Sequence, residues 1–299
     1  MILAAIDIGS NAARLLITDV TVYKDGTVDY TKLTLLRIPL RLGFDVFSNG
    51  HISEKKKGKL KDTIRIYKLL MDVYEVEEVR ACATSAMRDA ANGKEIMQEI
   101  KKETGIDIQI ISGMEEATIL YETHIADSMN NDMSYLYIDV GGGSTEVTLF
   151  SDNKTIFKES FNIGTIRMLN EGVSTEQWEH MKWYIKTHVK NYQPLVAIGT
   201  GGNINKIFSI SKRKEGRPLP VELIKDYHKE ISASTVEERM HLYGFRADRA
   251  DVIVPALQLY SSIMRWSGAA EIYVPKIGLA DGLIRMLYAK RSKEKAARN

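Results

Sequence analysis

The run Tyr135-Leu136-Tyr137-Ile138-Asp139-Val140 has the aromatic and aliphatic composition of a buried strand, and Gly141, Gly142 and Gly143 follow it at once. The strand carries Asp139 to its end. Three glycines then let the backbone turn sharply and approach a ligand without side chains in the way. Their N–H groups, with Ser144 and Thr145, form a nest suited to phosphate oxygens. Glu146 brings a second carboxylate to the same place. Carboxylate beside phosphate is sensible only with a cation such as Mg²⁺ (or Mn²⁺) between them, so Asp139 and Glu146 are candidate metal ligands.

The device recurs. Ile6-Asp7-Ile8 leads into Gly9, Ser10 and Asn11, and Val196-Ala197-Ile198 leads into Gly199-Thr200-Gly201-Gly202. A tight turn accounts for any one of these. Three strand-ending turns, two preceded by Asp, point to a cleft for a phosphorylated ligand. Asp7 is accordingly a third candidate for the metal, or a purely structural acid.

The chain has 299 residues, 44% of them hydrophobic and 27% charged, enough for one large or two medium domains of a soluble protein. No apolar run is long enough to span a membrane, and the start, Ile2 to Ile6 followed by Asp7, is not a signal peptide. A single cysteine, Cys82, fits a buried thiol in a reducing cytoplasm. The net charge of +2 does not identify a nucleic-acid binder, and no aromatic residues interleave the basic runs.

Taken in order, the chain reads as one plan used twice. Strands are expected at 2–8, 13–22 and 28–38, then a helix capped by Ser53, with Leu60, Ile64, Tyr67, Met71 and Tyr74 at helical spacing. A strand at 79–83, a helix from Gly93 to Gly105, a strand at 106–111 and a helix from 114 to 129 complete the first half. Strands near 134–140, 145–150 and 155–163, a helix from 175 and a strand at 195–198 open the second half. A helical insertion at about 203–266, a strand at 271–274 and a last helix from 279 close it. Both halves are βββαβαβα, an α/β fold of two domains, 1–130 and 131–299, with the polar Asn130-Asn131-Asp132 as boundary and the ligand in the cleft between halves.

These residues resemble the acetate and sugar kinase/Hsp70/actin superfamily, with its ribonuclease H-like, actin-like ATPase fold. Within it they are most similar to the exopolyphosphatase and guanosine pentaphosphate phosphohydrolase family, Ppx/GppA. The matching segments are 5–11 (Ala-Ile-Asp-Ile-Gly-Ser-Asn), 83–90 (Ala-Thr-Ser-Ala-Met-Arg-Asp-Ala), 111–117 (Ile-Ser-Gly-Met-Glu-Glu-Ala) and 138–146. Segments 163–167, 199–204 and 278–283 match more weakly, and all stand in the family's order. One departure is Ala12-Ala13, where the family has a Ser and a bulky residue.

The resemblance implies hydrolysis of the terminal phosphoanhydride of inorganic polyphosphate or guanosine pentaphosphate, a stringent-response nucleotide, by a cytoplasmic homodimer. It implies that Glu116 orients or deprotonates the attacking water and that Arg88 meets phosphate charge. Asp139 and Glu146 would hold the metal, and the glycine turns, Gly201 and Gly202 included, would grip phosphate. Glu115 and Glu116 are adjacent on a helix and face different ways, so one of them enters the cleft; the family pattern selects Glu116. From the residues alone, acids at a helix start are favoured simply by the macrodipole. Two other readings stay open: an ATP-dependent kinase or ATPase of the same superfold, and a non-catalytic sensor of guanosine tetra- or pentaphosphate. The basic runs at 55–61, 212–214 and 290–293 are solvated faces or, for the middle one, a track for long polyphosphate.

Overall fold

The computed structural model describes residues 1–124, 133–152, 154–170, 173–275 and 277–296. The chain forms two compact units: Met1–Thr123 with Gly278–Asn299, and His124–Ile277.

The first unit begins with strands β1 (Ile2–Ile8), β2 (Ala12–Val22) and β3 (Val28–Pro39). Helices α1 (Leu42–Asn49) and α2 (Glu54–Val73) follow, then β4 (Glu78–Ala83), α3 (Ser85–Asp89), α4 (Gly93–Thr104), β5 (Ile108–Ile110) and α5 (Gly113–His124). The strands form one sheet in the order β3-β2-β1-β4-β5. β1 is parallel to β4 and antiparallel to β2. Its near-continuous apolar run is what a central strand covered on both faces requires, and Leu3 to Ile6 are fully buried. α2 starts where Ser53 accepts from the Lys56 N–H, and it buries Leu60, Ile64, Tyr67 and Met71.

The second unit repeats the plan. Its elements are β6 (Ser134–Val140), β7 (Thr145–Ser151), β8 (Lys154–Phe161), α6 (Thr165–Asn170), α7 (Thr175–Val189) and β9 (Leu195–Thr200). Then come α8 (Gly202–Ile210), β10 (Leu219–Pro220), α9 (Val221–Ser232), α10 (Val236–Tyr243), α11 (Ala247–Ala250), α12 (Ile253–Ser267) and β11 (Glu271–Tyr273). The sheet order is β10-β11-β9-β6-β7-β8, the first unit's order with β10 added at one edge. The duplicated α/β architecture expected from the sequence is therefore present in both sheets.

Some details depart from that expectation, and one falls outside the described residues. The last helix, α13 (Leu279–Ala296), belongs to the first unit and not to the second. It lies against β1, β2 and β4, and Leu279, Leu283 and Leu287 share a core with Leu3, Leu16 and Cys82. The boundary residues Asn130, Asn131 and Asp132 lie outside the described residues. The helical insertion expected at about 203–266 also contains the two-residue strand β10, which pairs antiparallel with β11.

Candidate active site

Strand pairing builds the centre of the site in the second unit. β6 and β7 run antiparallel with Asp139 directly opposite Glu146, so both carboxylates project from the same face. Their nearest oxygens lie within 4.8 Å. Glu146 is buried and accepts a 2.9 Å hydrogen bond from Ser160 Oγ on β8. Asp139 Oδ1 accepts a 2.8 Å bond from Thr200 Oγ1 on β9, its partner in the parallel ladder. Two like charges this close, one of them withdrawn from water, repel unless something neutralises them. Hard oxygen donors in this arrangement fit a divalent cation of the Mg²⁺ or Mn²⁺ type.

The glycine turn between β6 and β7 closes with Gly141 N–H donating to the Ser144 carbonyl at 2.9 Å. Its carbonyls serve α6. Gly141 accepts from Thr165 N–H at 3.0 Å, Gly142 from Ile166 and Arg167 N–H at 2.8 and 3.1 Å, and Gly143 from Arg167 Nε at 3.1 Å. The turn thereby stops the first turn of α6, and Gly164 makes the fit possible. A Cβ there would stand 2.5 Å from backbone atoms of Gly142 and Gly143. Gly164→Ala is expected to destabilise the chain by about 1–3 kcal/mol, the usual cost of overpacking, and to raise KM for phosphate substrates by displacing the turn. A denaturant melt and a KM measurement check this; a variant with unchanged values for both would show that the contact relaxes freely.

Thr145 and Ser144 were expected on phosphate. Both are buried, and the Thr145 hydroxyl donates to the Ile163 carbonyl at 2.6 Å, so it fastens the segment before α6. The third turn also bears on the centre. Gly201 has φ of 100°, and a Cβ there would come within 2.9 Å of Asp139 Oδ1. Beside it, Arg249 Nη1 donates to Asn203 Oδ1 at 2.8 Å.

In the first unit, the ends of parallel β1 and β4 set the 9–11 turn beside the start of α3. Ser10 and Ser85 hydroxyls meet there at 2.8 Å. Gly9 N–H donates to the Ala12 carbonyl at 3.0 Å, the same closure as in the other turn. Asn11 is held through its carbonyl, which accepts from Leu40 and Arg41 N–H at 3.1 and 2.8 Å. Asp7, a candidate metal ligand, faces Arg14 across the β1–β2 ladder and accepts from its Nη1 at 2.8 Å. Its charge is answered within its own sheet.

Arg88 Nη1 donates to the Ile111 carbonyl at 3.0 Å, and its Nε lies 3.8 Å from Asp89. The guanidinium is thus tethered at the foot of α5. There the Glu115 carboxylate turns back to accept from Ser112 N–H at 2.8 Å and Ser112 Oγ at 2.9 Å. Those two bonds hold its carboxyl below the ordinary carboxylate range. Glu115 is a helix cap, and Glu116 on the same turn is half-buried. Burial pushes the Cys82 thiol well up, and the Asp7 and Glu116 charges push it further. Cys82 is an inert core thiol.

The Ppx/GppA phosphatase family model matches residues 21–290. The chain belongs to the Ppx/GppA phosphatase family. Exopolyphosphatase 1 of Mycobacterium tuberculosis is 25% identical over 304 residues, covering 95% of this chain and 87% of that one. The bifunctional 3-dehydroquinate synthase/phosphatase of Fusobacterium nucleatum is 27% identical over 91% of this chain, which spans 44% of that protein's length. Among solved structures, an exopolyphosphatase from Cytophaga hutchinsonii superposes with a TM-score of 0.83 at 25% identity, covering 96% of this chain and 97% of that one.

In this Ppx/GppA chain, part of the first basic run is tied into the fold by ion pairs. Lys57 and Lys61 of α2 pair with Glu99 of α4 at 2.7 and 3.1 Å, Lys61 also pairs with Glu103, and Lys56 with Asp45. In the middle run, Arg213 Nη1 donates to the Pro218 carbonyl at 2.9 Å. Sequence reading missed Ser85, Ser160, Arg249 and Tyr260. The Tyr260 hydroxyl donates to the Thr200 carbonyl, next to the Asp139 contact. Ser85 lay inside a recognised segment; the others carry no local signal, because strand pairing and the placement of α11 and α12 bring them in.

Proposed function

We propose that the chain hydrolyses the terminal phosphoanhydride bond of inorganic polyphosphate, and of guanosine pentaphosphate, with Mg²⁺ (or Mn²⁺) held by Asp139 and Glu146. The observation that carries this is the opposed carboxylate pair at a glycine turn, in a Ppx/GppA chain whose relatives include exopolyphosphatases. The bound cation would neutralise the phosphate oxygens and the charge developing on the leaving group.

The chain's own residues do the rest. The Gly9 and Gly141 N–H groups close their own turns, so the remaining N–H groups of the 9–11 and 141–143 turns, with those of Gly201 and Gly202, take the phosphate oxygens. Arg88 adds a charge-assisted grip. Glu116 holds the attacking water and accepts its proton as the water oxygen bonds to the terminal phosphorus. The bridging P–O bond breaks with its electron pair going to the shortened chain, and inorganic phosphate leaves. Little covalent help is needed, so placement and charge neutralisation carry the rate.

Polyphosphate is the favoured substrate on the relatives' side; the middle basic run offers a track for it. Among the described residues no helix is long and apolar enough to cross a membrane. A cytoplasmic homodimer that binds no nucleic acid completes the reading, and sedimentation of the purified chain checks the dimer.

The test is phosphate release from polyphosphate, guanosine pentaphosphate and ATP, side by side, with and without Mg²⁺. Metal-dependent release from either of the first two is expected. ATP turnover only with an acceptor alcohol would establish a kinase instead, and tight nucleotide binding without release a sensor.

A further inference from the structure

Asp139 and Thr200 form the last pair of the β6–β9 ladder. No pairing beyond them holds the strand end, because Gly201 turns the chain away at φ of 100°. A residue at the end of a ladder ordinarily frays. Here Thr200 is buried, and its carbonyl is held by Tyr260 from α12. α12 packs on both β6 and β9, and Tyr260 is only 1% exposed. Burial, with the Asp139 and Glu146 charges beyond it, pushes the Tyr260 hydroxyl well above its ordinary range, so it remains a donor. Thr200 in turn donates its hydroxyl to Asp139 Oδ1 at 2.8 Å.

We propose that Tyr260 and Thr200 are positioning residues: Tyr260 fixes the end of β9, and the Thr200 hydroxyl then holds the Asp139 carboxylate in the orientation a divalent cation takes. This rests on the reading of Asp139 as a metal ligand. The physical reason is pre-organisation. A carboxylate already locked by a donor loses less rotational freedom on binding an ion, and such outer hydrogen bonds are typically worth about 10–100-fold in metal affinity. Gly201 leaves room for this arrangement, since a Cβ there would come within 2.9 Å of the same oxygen. Glu146 has a comparable donor in Ser160, so each carboxylate is oriented by a hydroxyl from a neighbouring strand.

The experiment is Mn²⁺ binding by titration calorimetry without substrate, with thermal melts run alongside. Thr200→Val keeps the branched shape and removes the hydroxyl; its Mn²⁺ dissociation constant is expected to rise about 10–100-fold. Thr200→Ser keeps the hydroxyl and should stay within about threefold of wild type, far short of that loss. Tyr260→Phe should weaken Mn²⁺ binding in the same direction while substrate KM at saturating metal changes little. If folded Thr200→Val binds Mn²⁺ like wild type, or Thr200→Ser loses as much as Thr200→Val, the relay is overturned. Should Tyr260→Phe fail to fold, the Thr200 pair decides alone. Failure of the underlying reading looks different: wild type would not bind Mn²⁺, or Asp139→Ala would bind it as well as wild type.

Discussion

Glu116→Gln is expected to lower kcat for phosphate release by about two orders of magnitude or more, with substrate affinity nearly unchanged. Water is abundant, so the protein's task is to place it in line and take its proton. A positioned general base is typically worth about 10²–10⁴ in rate. Gln keeps the size and hydrogen-bonding reach of Glu but cannot accept that proton. The neighbouring Glu115→Gln is the control, because the Glu115 carboxylate is committed to Ser112 N–H and Oγ. That change weakens a helix cap, costs about 1 kcal/mol of stability or less, and leaves turnover close to wild type. Separate kcat and KM values for the two variants decide the assignment. A reversed ranking, or two silent variants, would make Glu116 an ordinary helix-start acid.

The second large effect is expected at Asp139. Asp139→Ala removes one carboxylate of the opposed pair and leaves Glu146 buried without its neighbour. Metal-dependent phosphate release should fall by about three orders of magnitude, the range carried by single charge-stabilising groups in such reactions. The loss should persist at saturating Mg²⁺, while the melting curve confirms a folded chain. Full activity of that variant in excess Mg²⁺ would sink the metal assignment.

The two Asp-containing turns show how much was legible and where reading stopped. Both looked alike, because an apolar strand, an Asp and a glycine turn announce themselves locally. What separates them is the cross-strand partner, which sits seven residues on in each case: Arg14 opposite Asp7, Glu146 opposite Asp139. A cation opposite makes an ion pair within the sheet, and an acid opposite is the arrangement on which the proposed metal site rests. That signal was in the sequence, but only strand pairing gives it meaning.

Helix α1 hid for a different reason. Arg41 precedes it in a left-handed conformation with no side-chain cap, so no start signal exists. α3 has five residues, too few for a period to show. The apolar spacing of Leu279, Leu283 and Leu287 marks a buried stripe in α13. It cannot say which of two similar sheets the stripe covers, and this is why the last helix was assigned to the wrong unit.

That returning helix bears on the order in which the protein is made. Residues 124–277 are one continuous stretch, whereas the other unit needs both 1–123 and 278–299. On a ribosome, the half that is begun first is therefore completed last. Until α13 emerges, Leu3, Leu16 and Cys82 lack their cover, and the usual N-terminal-first sequence of domain folding is inverted. A chain released at Ile277 should accordingly be clipped by protease within 1–123 while 133–277 resists; equal resistance in both parts would mean that the first sheet stands without its last helix.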